Sequence, residues 1–451
     1  MRTPTSGSYP AVAMTRGLAC SIALVLGLAL GGPAHAGPRM LKGPYLQDLA
    51  PSSITVMWQL DSPTAARLIV TGPDGERTQE VAASKITEAR LTALRPATRY
   101  RYRVLIGDAS WQGEFATAPE VGADVPFSFV VIGDTRYSAD AHRRVIERVS
   151  QEVPDFVLGT GDMVDEGHRQ EQWQQFFEIE NQLLRDNVYF PALGNHDRQG
   201  RGRSAEAYGA FFSVPTNGGH AERYYAFSYA SARFLVLDSN EYSFALTDQT
   251  AWLERELVAA RQDPQVRHIF CVMHHPPFSV SLHGGHRDLR ERWGSLFETY
   301  GVTAVFSGHD HVYERAEHNG IRYFVTGGGG APLYARRPRP DPIDAAAVKK
   351  YERAYHYLRV TVTGQRVEIS AIRTDGTAIE TTTWTEAAPP SSEVREAPAL
   401  VTRAGGPAPA PQLARAPTGP APRDGSLAWI GFAGIGLLLG AAVIVVRTLR
   451  R

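Results

Sequence analysis

The chain has 451 residues, of which 43% are hydrophobic and 21% charged, and its formal net charge is zero. This length suits two domains with tails, and the apolar fraction is sufficient for ordinary globular cores. A balanced charge without a basic face argues against a nucleic-acid-binding protein, so we expect no nucleic-acid partner. Cys20 and Cys271 are the only cysteines, and they give no indication of the compartment.

Residues 1–36 have the pattern of a signal peptide. Basic residues precede an uncharged apolar run at 18–32, and a small-x-small sequence follows at 34–36. The pattern predicts cleavage after Ala36 and export of the remainder. An uncleaved anchor helix is the alternative, but the apolar run is short for one.

The last part of the chain has the pattern of a tether and a membrane anchor. A Pro/Ala-rich linker spans 387–426, an uncharged apolar run spans 427–446, and a basic tail spans 447–451. Twenty apolar residues suffice for a transmembrane helix, and the positive-inside rule places the tail in the cytoplasm. We therefore expect a membrane-anchored protein whose domains lie in the periplasm or at the cell surface. A cleaved sorting signal is the alternative.

Two folded regions are expected between these segments. Residues 37–120 contain short alternating strands separated by turn signals, which predict a small β-sandwich with Trp58 in its core. Residues 121–386 alternate apolar strands with helical segments, which predicts an α/β domain. We expect the first region to pack against the second, with the binding of a partner or a cell-wall polymer as the alternative.

Five predicted strands of the α/β region each end in a polar corner. The corners are Gly133-Asp134, Gly161-Asp162, Gly194-Asn195-His196-Asp197, His274-His275 and Gly308-His309-Asp310-His311. Sites form at the carboxyl ends of strands in open α/β sheets, so these corners are expected to converge. Oxygen and imidazole donors without thiolates favour Fe, Mn or Zn. Two such ions, divalent or trivalent and about 3.5–4 Å apart, clamp a phosphoryl group for in-line displacement.

This ordered set resembles the signature of the calcineurin-like metallophosphoesterases over residues 126–330. Gly43–Gln47 followed by Trp58 resembles the fibronectin type III-like N-terminal domain of purple acid phosphatases. The resemblance implies an α/β fold: a metallophosphoesterase β-sandwich flanked by helices and preceded by a small all-β domain. It also implies an acid phosphatase-like phosphomonoesterase with a small phosphate ester as substrate. A phosphodiesterase with the same dimetal site and a metal-poor, phosphate-binding surface module are the alternatives.

The resemblance also assigns roles by position. The metal ligands would be Asp134, Asp162, Asn195, His274, His309 and His311. Asp162 would bridge the two ions; Asp134 and His311 would complete the first site, and the other three residues the second. His196 would stabilise the transition state or protonate the leaving group, with Asp197 orienting it, and His283 would contact the substrate. The attacking group would be water activated at the metals.

Two positions depart from the family pattern. Arg136 stands where the family has a histidine, and Asp165 stands where purple acid phosphatases have a tyrosinate ligand. A guanidinium offers no lone pair and cannot ligate a metal. We therefore expect the first ion to be bound more weakly than the second. Arg136 is expected either to bind a substrate phosphate or to form an ion pair with Asp165.

Overall fold

A computed structural model of the chain describes residues 37–198, 204–218, 223–240 and 246–386. The chain divides into two compact units, Met1–Glu393 and Val394–Arg451, and the described residues all belong to the first. The predicted signal peptide, the Pro/Ala linker, the transmembrane helix and the basic tail lie outside the described residues. Within those residues, no helix has both the length and the apolar character that crossing a membrane requires.

The N-terminal region forms one antiparallel sheet. Its strands are β1 (Met40–Ala50), β2 (Ser53–Gly72), β3 (Gly75–Leu91), β4 (Arg99–Ile106) and β5 (Ala109–Ala116). Their order is β1-β2-β4-β5, with β3 also paired to β2. The register shifts near Thr64, so the first part of β2 pairs with β1 and the second part with β4. Trp58 is fully buried. The likeness to a fibronectin type III domain and the predicted domain boundaries stay predictions.

The rest of the described chain has the expected mixed α/β fold. Its strands are β6 (Phe127–Ile132), β7 (Phe156–Gly159), β8 (Tyr189–Pro191), β9 (Tyr225–Tyr229), β10 (Ala232–Val236), β11 (His268–Val272), β12 (Ala304–Ser307), β13 (Tyr313–His318), β14 (Ile321–Thr326), β15 (Val348–Glu352), β16 (His356–Thr363), β17 (Arg366–Arg373) and β18 (Ala378–Thr385). The helical segments are α1 (Ala139–Val149), α2 (Gln170–Asp186), α3 (Glu206–Phe211), α4 (Leu246–Gln262), α5 (Arg287–Leu289), a π-helical turn (Arg290–Gly294), α6 (Ser295–Thr299) and α7 (Pro342–Ala347).

These strands form two sheets that share an aromatic core. One sheet has the order β15-β13-β14-β12-β11-β10-β9, and the other has the order β18-β17-β16-β6-β7-β8. Phe129 of β6 packs edge-on against Phe234 and Phe270 of the other sheet, with ring centroids 5.3 and 5.5 Å apart. Edge-to-face pairs of this kind add to the free energy of burying the rings. The core therefore holds the two sheets face to face.

The N-terminal sheet packs against the side of this domain, beside α2. The hydroxyl of Tyr102 donates to the carbonyl of Arg185 at 2.8 Å, and that of Tyr45 donates to the carbonyl of Phe211 at 2.7 Å. Both phenols are almost fully buried, and a buried hydroxyl needs such an acceptor. These contacts agree with the expectation that the first region packs against the second.

The topology gathers the polar corners at one edge of the molecule. β6, β7 and β8 are parallel neighbours, as are β10, β11 and β12 in the other sheet. The carboxyl ends of parallel strands face the same way, so the corners that follow them share an edge. The amide of Gly308 donates to the carbonyl of His274 at 2.9 Å, and that of Asp134 donates to the carbonyl of Gly161 at 2.9 Å. Neighbouring corners are thus hydrogen bonded to each other.

Candidate metal centre

The backbone at the corners is strained in a way that turns side chains into the centre. Asp134, Asp162 and His309 all have positive φ, at 57°, 57° and 69°. This left-handed region is unfavourable for residues with a Cβ, and such strain concentrates at functional sites. Gly194 lies so close to Asp162 that an added Cβ would overlap its main-chain nitrogen and its Oδ1. Glycine is therefore required at that corner.

Four donor atoms from four corners meet at one point. Oδ1 of Asn195 lies 3.0 Å from Nε2 of His274 and 3.1 Å from Nδ1 of His309. The two histidine nitrogens are 3.2 Å apart, and Nε2 of His274 is 3.3 Å from Oδ1 of Asp162. Donors about 2.0–2.2 Å from a shared Zn or similar ion lie roughly this far from one another. We call these four residues the second-ion set, and they fit a metal ion.

The histidines of the second-ion set are prepared to ligate. Nδ1 of His274 lies 2.9 Å from the carbonyl of Thr160, which holds a proton on Nδ1 and leaves the lone pair on Nε2. Burial and the neighbouring His275 and His274 lower the pKa of His309, so its ring stays neutral. His275 contacts Ser239 through Nδ1 at 2.9 Å, and its ring centroid is 4.4 Å from that of His309. The sequence singled out His275 only as part of a corner and did not predict this contact.

The remaining predicted ligands form a first-ion set: Asp134, Asp162 and His311. Nε2 of His311 lies 3.4 Å from Oδ1 of Asp134, and its Nδ1 is 2.7 Å from the carbonyl of Pro332. The Tyr334 ring stacks on His311 with centroids 4.0 Å apart. No local sequence signal predicted Tyr334, because it contacts His311 from a loop without a motif.

A guanidinium lies among the atoms of the first-ion set. Nε of Arg136 donates to Oδ2 of Asp162 at 3.1 Å, and its Nη1 donates to Oδ1 of Asp165 at 2.7 Å. Nη2 is 3.4 Å from Nε2 of His311. The predicted ion pair with Asp165 is therefore present, and a second ion pair with Asp162 accompanies it. The set is not a free metal site, although Oδ1 of Asp134 is buried without a hydrogen-bond partner in the described part of the chain.

The charges of this cluster support one another. Burial opposes a charged Arg136, but Asp162, Asp134 and Asp165 outweigh it and raise the pKa of the guanidinium. Burial likewise opposes ionised Asp162, yet His274 and Arg136 hold the pKa of that carboxyl well below its usual range. The Asp162 carboxylate therefore stays ionised and available to a cation.

His196 stands at the open side of the centre, and its environment differs from the expected one. Its side chain is about a third exposed, and its Nδ1 lies 2.7 Å from the carbonyl oxygen of Asp165. Asp197, expected to orient the His196 ring, instead accepts from the amides of Asp162 and Gly194 at 2.9 and 2.8 Å, and from that of Met163 at 2.8 Å. Burial and Asp162 raise the pKa of Asp197 to about 6. Asp197 thus shapes the corner backbone, and Asp165 orients His196.

His283 also reaches the centre. Its ring is exposed and its centroid is 4.3 Å from that of His309. Its amide donates to Oδ1 of Asp310 at 2.9 Å, while Oδ2 of Asp310 accepts from the hydroxyl of Ser279. The predicted site residues are therefore all gathered at one edge, with His196 and His283 on its accessible side.

Comparisons with known proteins agree with this geometry. Residues 127–313 match the model of the calcineurin-like phosphoesterase family. A purple acid phosphatase of Glycine max is 28% identical over 251 residues, which cover 52% of this chain and 54% of that protein. A phosphoenolpyruvate phosphatase of Allium cepa is 28% identical over 257 residues, 52% of each chain. An uncharacterized protein of Mycobacterium tuberculosis is 29% identical over 273 residues, 51% of each chain. The chain spans about half the length of these curated relatives.

Solved structures show the same fold. The purple acid phosphatase PPD1 from yellow lupin seeds has a TM-score of 0.65 at 17% identity, and the match covers 77% of this chain and 74% of the lupin chain. PhoD has a TM-score of 0.58 at 14% identity, and the match covers 77% of this chain and 88% of the PhoD chain. At these identities the likeness concerns the fold alone. Residues 127–313 thus correspond to a calcineurin-like phosphoesterase domain, and the fold of the described chain agrees with that match.

Proposed function

We propose that the protein is a metal-dependent hydrolase of phosphate esters, acting as an acid phosphatase-like phosphomonoesterase. The observation that carries the proposal is the second-ion set: four donor atoms within 3.3 Å of their neighbours, beside the accessible His196. Family membership supports phosphoric ester hydrolysis. The names of the soybean and onion relatives support a monoester substrate.

The residues of the second-ion set would hold the ion, which we expect to be Fe, Mn or Zn. A bound ion would supply Lewis acidity and an activated water. Asp162 contributes a negative charge. Asn195 contributes a neutral oxygen, so a bound ion would keep more of its positive charge for the anionic substrate. The strained corners keep these donors in place before an ion arrives, so little reorganisation is needed on binding.

His196 would donate a proton to the leaving group. Its Nδ1 proton is held by the carbonyl of Asp165, so a second proton must reside on Nε2. The Asp165 carboxylate, with Oδ1 3.5 Å from Nδ1, stabilises the resulting imidazolium. Transfer of the Nε2 proton to the departing alkoxide then prevents the alkoxide from returning to phosphorus. His283, on the same accessible side, is proposed to contact the ester.

We further propose that the enzyme acts outside the cytoplasm, in the periplasm or at the cell surface. The leader pattern at 1–36 and the apolar run at 427–446 support this localisation. Deleting residues 427–451 is expected to shift activity from the membrane fraction to the soluble fraction of cells. Unchanged fractionation of the truncated protein would contradict the anchor.

The function is tested with aryl phosphates. Protein depleted with a chelator is expected to be inactive on p-nitrophenyl phosphate and to recover with Mn²⁺, Zn²⁺ or Fe. His274→Ala should lose both metal and turnover, whereas His318→Ala, away from the centre on β13, should keep both. Faster turnover of bis(p-nitrophenyl) phosphate would identify a phosphodiesterase. Phosphate binding without any turnover in the metal-loaded protein would identify the phosphate-binding module instead.

A further inference from the structure

We propose that the guanidinium of Arg136 replaces the first metal ion, so that the centre holds one metal per chain, in the second-ion set. The proposal rests on the proposed hydrolase function and deepens it. Two cations would still face the substrate, but one of them would be a permanent part of the protein.

Two of the contacts of Arg136, those with Asp162 and His311, are contacts that an ion in the first-ion set would make. It donates to Oδ2 of Asp162, the oxygen on the far side from the His274 contact, at 3.1 Å. It also donates to Oδ1 of Asp165 at 2.7 Å, and its Nη2 is 3.4 Å from Nε2 of His311. Three donor directions of one planar group thus serve three side chains from two corners, with Asp162 and Asp165 after β7 and His311 after β12. The Arg136 residue is 9% exposed, so it is enclosed with its partners.

The contacts of His311 place Arg136 in competition with a metal ion. Its Nδ1 is 2.7 Å from the carbonyl of Pro332, which leaves one lone pair on Nε2. Nε2 lies 3.4 Å from Nη2 of Arg136 and 3.4 Å from Oδ1 of Asp134. A lone pair that accepts from the guanidinium cannot also ligate an ion. The stacked Tyr334 ring fixes the plane of the imidazole, which prevents the ring from turning towards another position.

The charges give the same result. Asp134, Asp162 and Asp165 bring three negative charges to the cluster, and Arg136 with one divalent ion neutralises them. A second divalent ion would leave the cluster with a net positive charge and would lie in contact with a guanidinium that cannot lose its proton. Repulsion between the guanidinium and a second ion in contact with it opposes metal binding in the first-ion set.

One atom argues the other way. Oδ1 of Asp134 is buried and has no hydrogen-bond donor in the described residues, as expected of an oxygen that awaits a cation. Arg136 does not satisfy it. The decisive quantity is therefore the number of ions that the native protein retains, rather than its activity.

The arrangement also assigns a role to the free part of the guanidinium. Arg136 has five N–H donors, and three are used in the contacts above, which leaves one on each Nη. That pair suits the oxygens of a phosphoryl group bound bidentately. The phosphoryl group would then be held between a metal on one side and Arg136 on the other.

The test is metal counting on the full-length protein. After incubation with excess Mn²⁺ and gel filtration, elemental analysis is expected to find one Mn per chain in the wild type. Arg136→His supplies a lone pair and removes the charge, so it should raise the count to two, with the magnetic coupling of a Mn pair in electron paramagnetic resonance. Arg136→Ala should also admit a second, weaker ion. Arg315→Ala is the control and should keep one ion, since Arg315 of β13 forms a partly buried ion pair with Glu380 of β18.

The outcomes separate the two proposals. Two ions per wild-type chain, with metal-dependent turnover, would overturn the replacement and leave the hydrolase standing. No ion in the wild type would overturn both. If Arg136→His and Arg136→Ala, folded by circular dichroism, still hold one ion, then the guanidinium does not exclude the second and the inference is wrong.

Discussion

The second-ion and first-ion sets follow the same construction but end in different states. In each, an imidazole is fixed through a backbone carbonyl, that of Thr160 for His274 and that of Pro332 for His311. Asp162 contributes one oxygen to each set. In the second-ion set, the donor atoms face one another, with no Arg or Lys side chain among them in the described residues. In the first-ion set they face Arg136.

The comparison shows how one side chain can change the chemistry of a set of metal-type donors. The strained corners, the fixed imidazoles and the Asp162 carboxylate between the two sets would suit two ions. A single arginine at the end of β6 nevertheless supplies a positive charge that needs no metal. A cation held covalently is independent of metal supply, but it cannot activate water, so that role falls on the second-ion set.

The largest effect is expected from removing the side chain that both sets share. Asp162→Asn should reduce turnover by more than about 10⁴-fold, because it takes charge from the metal and from Arg136 at once. Steady-state kinetics with elemental analysis would measure it, and metal content should fall as well. Asp155→Asn, at the other end of β7, should leave both unchanged. Near-native turnover in Asp162→Asn would show that the carboxylate does not bridge.

Many of the strands and helices that carry the centre could be predicted from the sequence, because their signals are local. The run Phe127–Ile132 is apolar and bounded by turn residues, and it forms strand β6 with those exact ends. A helix expected over 141–152 is observed at Ala139–Val149, where Ser138 caps the first turn by accepting from the amide of Ala141. Cap residues move helix ends by a few positions, so such boundaries are the least predictable part.

The rest of the centre could not be predicted, because it depends on contacts between distant segments. Whether Arg136 bound a phosphate or paired with Asp165 was open from the sequence, since both are natural partners of a guanidinium. The stacking of Tyr334 on His311 brings together two loops with no shared pattern. Asp197 was expected from the family resemblance to orient His196, but four backbone amides from two corners donate to its oxygens.

A second prediction separates proton donation from metal binding. His196→Ala should lower turnover by about 10²–10⁴-fold, because the ring is placed to protonate the leaving group. Its metal content should stay at the wild-type value, since no atom of His196 belongs to either ion set. His168→Ala, at an exposed position, is the matched control and should change neither turnover nor metal content. Loss of metal together with activity would show that His196 supports the ion.

A third prediction uses the proton that competes with the metal in the second-ion set. Burial opposes a charged His274, but Asp162 outweighs it and raises the pKa of His274 to about 9 in the metal-free protein. Because the proton occupies Nε2, metal binding must expel it, and affinity should fall about tenfold for each pH unit below that value. Calorimetry in two buffers of different ionisation enthalpy would count about one released proton. A pH-independent affinity would contradict the assigned nitrogen.

The smallest expected effect comes from Asp165, whose carboxylate pairs with Arg136 and also lies 3.5 Å from Nδ1 of His196. Asp165→Asn keeps the volume and the main-chain carbonyl that positions His196, but it removes one charge from beside the guanidinium and the His196 ring. The Asp165 side chain is 29% exposed, so the lost pair is expected to be worth about 0.5–1 kcal/mol, or roughly a two- to five-fold rise in KM. Metal affinity should not change, because Asp165 contributes no atom to the second-ion set. The two quantities are measured on one preparation, by titration with Mn²⁺ and by initial rates across substrate concentrations. A drop in metal affinity with unchanged KM would mean that Asp165 serves an ion rather than Arg136, and the two sides of the centre would then be more alike than their contacts indicate.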